Sequence, residues 1–130
     1  METISADQLK ALKFFHRLPL ELVQTLLNAG HIQNIPKKNL LFSNGENIQN
    51  VLLLLSGEVS VYNITKHGQR KILFFLGKGH LLNHDINSSH SLSLSCESIT
   101  PVLVLKISKK NFLGFMKESF PLTQAVLDEY

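Results

Sequence analysis

The sequence predicts a mainly β, antiparallel protein of the barrel, sandwich or jelly-roll kind, with short helices at both ends. Three observations predict it. Short strand candidates crowd residues 31–108, residues that tolerate positive φ separate them, and helical periodicity is confined to the two ends. A chain of 130 residues buries one good core, so a single domain is expected.

At the N-terminus, Ser5 and Gln8 form a capping-box pattern ahead of Leu9, Leu12 and Phe15 at helical spacing. Pro19 suits the first turn of a second helix with Leu22, Val23, Leu26 and Leu27 on its apolar face. Gly30 is placed to end that helix in a left-handed cap.

The strand candidates follow: His31–Ile35, Leu40–Phe42, Asn50–Ser56, Glu58–Thr65, Arg70–Leu76, Ser91–Glu97 and Val102–Ile107. Alternation in the fourth directs Val59, Val61 and Asn63 to one side and Ser60, Tyr62 and Ile64 to the other. The aliphatic run Val51–Leu55 is too short to span a bilayer and reads as a buried strand. Asn44-Gly45, Ser56-Gly57, His67-Gly68 and Gly77-Lys78-Gly79 supply the turns.

Helix returns at the end. Ser108 can cap a helix carrying Phe112, Phe115 and Met116, weakened by Gly114 in its middle. Pro121 starts a further segment with Leu122, Val126 and Leu127 on one side, an apolar stripe that calls for a covering partner.

Composition narrows the function classes. A hydrophobic share of 44% and a charged share of 18% fit a folded domain. The net charge of +3 is small, and the pairs Lys37/Lys38, Arg70/Lys71 and Lys109/Lys110 are scattered without interleaved aromatics. They read as solvated turns and strand ends, not a nucleic-acid surface. Cys96 is the one cysteine, so neither an internal disulfide nor a cysteine-rich metal centre can form. It reads as a small core filler, not a redox sensor, because no Lys, Arg or His flanks it. The first residues carry acid where a signal peptide carries base, so a cytoplasmic setting and no membrane association are expected.

The strand-and-glycine frame resembles a known family from about Leu9 to Tyr130. Asn44-Gly45-Glu46 followed by the run from Val51 through Gly57 to Tyr62 resembles the core of cyclic-nucleotide-binding domains. The hairpin His67 to Leu73, the segment Phe75 to Leu82, and Val102 to Phe112 resemble the elements that follow it there. In order and spacing the chain is similar to the N-terminal sensor of Crp/Fnr-type transcription regulators. That resemblance implies a double-stranded β-helix, or β-roll, of eight-strand type. It implies a sensor domain over 1–120 and the start of a dimerisation helix over 121–130. It also implies a homodimer through that helix, and DNA binding only through a helix-turn-helix domain outside these residues, the chain then being a fragment of a longer regulator.

The family's phosphate-binding cassette reads "F-G-E-h-x-h", then "R-S/T-A" after a few residues. The matching residues are Leu81-Leu82-Asn83-His84-Asp85-Ile86, then Ser91-Leu92-Ser93-Leu94. Asn83 stands at the glycine that lets backbone approach the phosphate, His84 at the glutamate, and Leu92 at the arginine; Ser93 is kept in kind. No Lys, Arg or Glu occurs from Gly79 to Cys96. A phosphodiester needs amide donors and a cation, and burying one beside Leu92 leaves a costly unpaired charge. Ordinary cyclic AMP or cyclic GMP binding is therefore not expected. Gly79, Leu82, Asn83, His84, Asp85, Leu92 and Ser93 are the candidate pocket residues for an unidentified small-molecule effector, and no cofactor can be named.

Other readings stay open. The roll could bind a less anionic effector, respond through a protein partner, or be a stand-alone interaction module without a ligand. Leu92 and Leu94, in register with Cys96, suit core or an apolar pocket lining. His80, His84, Asp85 and His90 could gather a metal, and His84 could act as a protonation switch, but a solvated loop explains the same letters. A cupin-like metal enzyme is the competitor from another class. It needs a His-x-His pair, which the sequence lacks, and no nucleophile motif is present; catalysis is not expected.

Overall fold

The computed structural model describes residues 4–43, 49–82 and 94–128. Helix α1 (Ala6–Lys10) leads through a 3₁₀ turn (Lys13–Phe15) to α2 (Leu20–Ala29). The strands are β1 (His31–Ile35), β2 (Leu40–Phe42), β3 (Asn50–Ser56), β4 (Val59–Ile64), β5 (Arg70–Leu76), β6 (Ser95–Ser98) and β7 (Val102–Ser108). Helices α3 (Lys109–Glu118) and α4 (Phe120–Leu127) close the chain. The strands form two antiparallel sheets, one ordered β1-β7-β3 and the other β2-β6-β4-β5. This is the β-roll with flanking helices that the sequence predicts, with seven strands among the described residues where the resemblance implies eight.

The core lies between the sheets and under the helices. Val51 to Leu55 are all buried because β3 has two covered faces, with α3 packed on β3 and β7. Along β7, Val104, Leu105 and Ile107 are fully buried, and α2 packs against the same strand. The second sheet thins toward its edge. Every residue of β5 from Arg70 to Phe75 is exposed, and Leu73 is a bulge between the pairs Val61↔Phe74 and Tyr62↔Ile72.

Several expectations are corrected. Helix α1 is capped by Ser5 and Gln8 as the sequence predicts, but it ends at Lys10 and does not run on to Phe15. Leu12 is extended, and the Phe14 N–H leaves the helical pattern to donate to the Gly79 carbonyl at 3.0 Å. Pro19 is the N-cap of α2 instead of lying within its first turn. Gly30 is extended (φ −114°), not left-handed. Its requirement is space: a Cβ there would lie 2.6 Å from the Lys106 carbonyl oxygen and 2.8 Å from Ile107 Cγ1. Both faces of β4 are covered along Val59 to Tyr62, which are all buried, while Asn63 and Ile64 at its end are exposed. Positive φ appears at Gly57, Gly68 and Gly79 as predicted, and also at Lys38, where no turn is predicted; Asn44-Gly45 lies outside the described residues.

At the C-terminus, Ser108 caps α3 by accepting from the Asn111 N–H, and Ser119 caps α4 by accepting from Leu122. The apolar stripe of α4 is largely satisfied within the domain. Leu122 and Val126 are buried in the common core, and the Thr123 hydroxyl donates to the Met116 carbonyl at 2.8 Å. Leu127, at 55% exposure, is the part of the stripe left uncovered.

Candidate functional site

The segment Gly79–Leu82 lies along the free edge of β3. The Gly79 N–H donates to the Leu54 carbonyl (2.7 Å), Leu54 N–H to His80 (2.9 Å) and Leu82 N–H to Leu52 (2.9 Å), with Leu53 and Leu81 forming an antiparallel bridge. These bonds satisfy the edge that the sheet would otherwise expose. Gly79 has φ +91° and backs directly onto the 3₁₀ turn, where a Cβ would meet the Lys13 nitrogen at 3.0 Å. Both reasons demand glycine.

Of the candidate pocket residues, Gly79 and Leu82 are thus neighbours on one rigid strip. Leu82 is 4% exposed and belongs to the core. Asn83, His84, Asp85, Leu92 and Ser93 lie outside the described residues, as do His90 and the first part of the strand predicted over Ser91–Glu97, whose described portion is β6. Leu82 is anchored on the first sheet, while Leu94 packs against the core at the start of β6 in the second. The described residues on either side of the candidate cassette therefore belong to different sheets.

Strand β6 is tied down at its C-terminal end. Its Ser98 is fully buried; the hydroxyl donates to the Pro36 carbonyl at 2.6 Å and accepts from the Asn39 N–H at 3.0 Å. Lys38, with its positive φ, donates its N–H to the Ser98 carbonyl at 2.7 Å. Cys96, paired across from Val61, is fully buried, and burial pushes its thiol up to about 12. It is a core filler, as its sequence neighbours predict.

A polar cluster escaped the sequence reading. Arg70, a solvated strand end by its sequence context, lays its guanidinium 4.1 Å from the Tyr62 ring centroid and donates to Glu97 Oε1 at 3.1 Å. The three residues come from β5, β4 and β6, with Tyr62 directly opposite Ser95. The cluster places a cation on the sheet that carries the C-terminal end of the cassette, though one already matched by a carboxylate. The signal that could have found it is the β4–β5 hairpin register, which brings Arg70 opposite Ile64 and near Tyr62.

Among the described residues no group of three His, Cys, Asp or Glu side chains could hold a metal ion, and no helix is long and apolar enough to cross a membrane. The metal set proposed from sequence lies mostly outside them, with His80 alone described.

A family model, the cyclic nucleotide-binding domain, matches residues 32–119. The fold is similar to the sensor domain of the transcriptional regulator DNR from Pseudomonas aeruginosa. The TM-score is 0.80 at 24% identity, covering 94% of this chain and 83% of that one. It is also similar to the catabolite activator protein of Thermus thermophilus, with TM-score 0.79 at 21% identity, covering 89% of this chain and 55% of the other. A longer chain of DNR matches with TM-score 0.78 at 24% identity, over 99% of this chain and 59% of that one. This chain thus matches little more than half the length of the last two. At these identities the likeness is one of fold. No curated protein matches the chain in sequence.

Proposed function

Because the chain belongs to the cyclic nucleotide-binding domain family, we propose that it is the effector-sensing and dimerisation domain of a Crp/Fnr-type transcription regulator that does not hold cyclic AMP in the usual way. One observation carries this reading: residues 79–96, the stretch matching the cassette, contain no Lys, Arg or Glu. Gly79, Leu82, Asn83, His84, Asp85, Leu92 and Ser93 line the pocket in this reading, and its effector is less anionic than a nucleotide. Losing the partner of a buried charge costs roughly 3–5 kcal/mol, or about 10²–10⁴-fold in affinity.

Residues 1–120 then sense, and 121–130 begin the helix that pairs two copies. The exposed Leu127 on α4 supports this, as does the similarity to a sensor domain of a transcriptional regulator. The DNA-binding part of such a regulator would lie outside these residues. An effector would act by favouring one arrangement of the paired helices over another. Calorimetric titration with cyclic AMP and cyclic GMP tests the pocket. No saturable heat is expected at micromolar concentration, and micromolar binding of either would overturn the reading.

A second reading, a stand-alone interaction module on the same fold, is favoured by the burial of Leu122 and Val126 within their own domain. Sedimentation separates the two: a regulator's sensor associates at high concentration, and Leu127→Glu reverses it, whereas the module stays monomeric.

A further inference from the structure

A groove of about 780 Å³ opens between the 3₁₀ turn and α4, within the size range of small-ligand sites. Its apolar lining includes Phe14, Ala125 and Phe120, the last 76% exposed and therefore a large aromatic surface without cover. Its N-terminal wall carries three basic side chains, Lys13, His16 and Arg17, and Asp128 is the sole acid among the described residues that line it. Arg17 and Asp128 approach to only 3.9 Å, with side chains 83% and 51% exposed. A pair so solvated and so long holds its guanidinium weakly.

An apolar floor beside a basic wall complements a molecule with an apolar body and one negative head, and it disfavours a cation or a neutral polar molecule. We propose that the groove binds a small amphipathic carboxylate, an aryl-alkanoic acid whose body lies on Phe120 and Ala125 and whose carboxylate takes Arg17 from Asp128. None of the candidate cassette residues lines the groove, so this site is independent of the reading of the cassette. Because α4 contributes one wall and the 3₁₀ turn the other, a bound acid would bridge the N-terminal helices and the last helix of the fold.

The test is calorimetry on the 130-residue chain with 4-phenylbutyrate, and with 4-phenylbutyramide as its neutral counterpart. The acid binds and the amide binds about two- to fivefold more weakly, the size expected of an exposed charge contact. The two ends of the ion pair move affinity in opposite directions: Arg17→Gln weakens the acid about fivefold, and Asp128→Asn, which removes the competitor, strengthens it about twofold or more. Ala125→Trp fills the groove and abolishes binding, with thermal melts confirming that each variant folds. Equal binding of acid and amide would overturn the proposal. So would no saturable binding, binding indifferent to Ala125→Trp, or the same response from Arg17→Gln and Asp128→Asn.

Discussion

The backbone N–H of Phe14 donates to the carbonyl of Gly79 across 3.0 Å, joining the N-terminal turn to the glycine just before the candidate cassette. This hydrogen bond ties the turn that follows α1 to a strip that is itself bonded to β3 through Leu52 and Leu54. The residues that precede the cassette are held by the helices, not by the sheet alone.

That coupling makes Gly79 sensitive for two reasons at once. Gly79→Ala meets both a φ of +91° and the Lys13 nitrogen at 3.0 Å. A loss of about 1–3 kcal/mol is expected. Urea unfolding measures it, and hydrogen exchange at Phe14 should accelerate with it.

Gly30 offers the contrast. Its φ is ordinary, so Gly30→Ala carries no dihedral penalty, yet the new methyl would sit 2.6 Å from the Lys106 carbonyl oxygen. Overpacking of this kind costs about 1–3 kcal/mol. The shift should appear in the β1–β7 register, visible as altered amide chemical shifts at His31 and Lys106, which a dihedral effect would not produce.

Cys96 gives stability a pH dependence at the alkaline end. Burial raises its thiol from the ordinary value of 9.0 to about 12 in the folded chain. The unfolded chain releases this proton near pH 9 while the folded chain keeps it. The contribution is therefore whole below pH 9 and falls by about 1.4 kcal/mol per unit as pH rises toward 12. Urea midpoints at pH 8 and pH 10.5 should differ less in Cys96→Ala than in the parent, although that variant is weaker at both. The native thiol should react with an aromatic disulfide reagent only as fast as the domain opens.

The Arg70–Glu97 pair is half-solvated, with side chains 46% and 25% exposed. A double-mutant cycle with Arg70→Met and Glu97→Gln should return a coupling of about 0.2–1 kcal/mol that fades in high salt. A larger or salt-insensitive coupling would mean that the Tyr62 ring shields the pair more than its exposure indicates.

Leu92→Arg tests the cassette directly. Restoring a cation where the family's arginine stands should bring cyclic AMP affinity up by at least about tenfold. Titration of the variant against the parent reads it, and an unchanged isotherm would show that charge is not what the pocket lacks.

Much of the frame was written in local patterns. The seven strands, the Ser5 and Ser108 caps and the left-handed turn at Gly79 follow from periodicity and turn chemistry, which depend only on near neighbours. The sequence also determined the chemistry of the cassette stretch, because the want of Lys, Arg and Glu over residues 79–96 holds however the chain is arranged.

What depended on distant partners was illegible. Gly30 is needed because β7 passes behind it, Arg70 is paired because β4 and β6 lie beside β5, and Leu122 finds its cover in its own domain. Helix α1 stops at Lys10, and beyond it the Phe14 N–H donates to Gly79, 65 positions away. Local propensity amounts to a few tenths of a kcal/mol per residue, and a single buried contact or satisfied hydrogen bond outweighs it. The one-dimensional pattern therefore determined which elements form, and the tertiary structure decided where they end and what they touch.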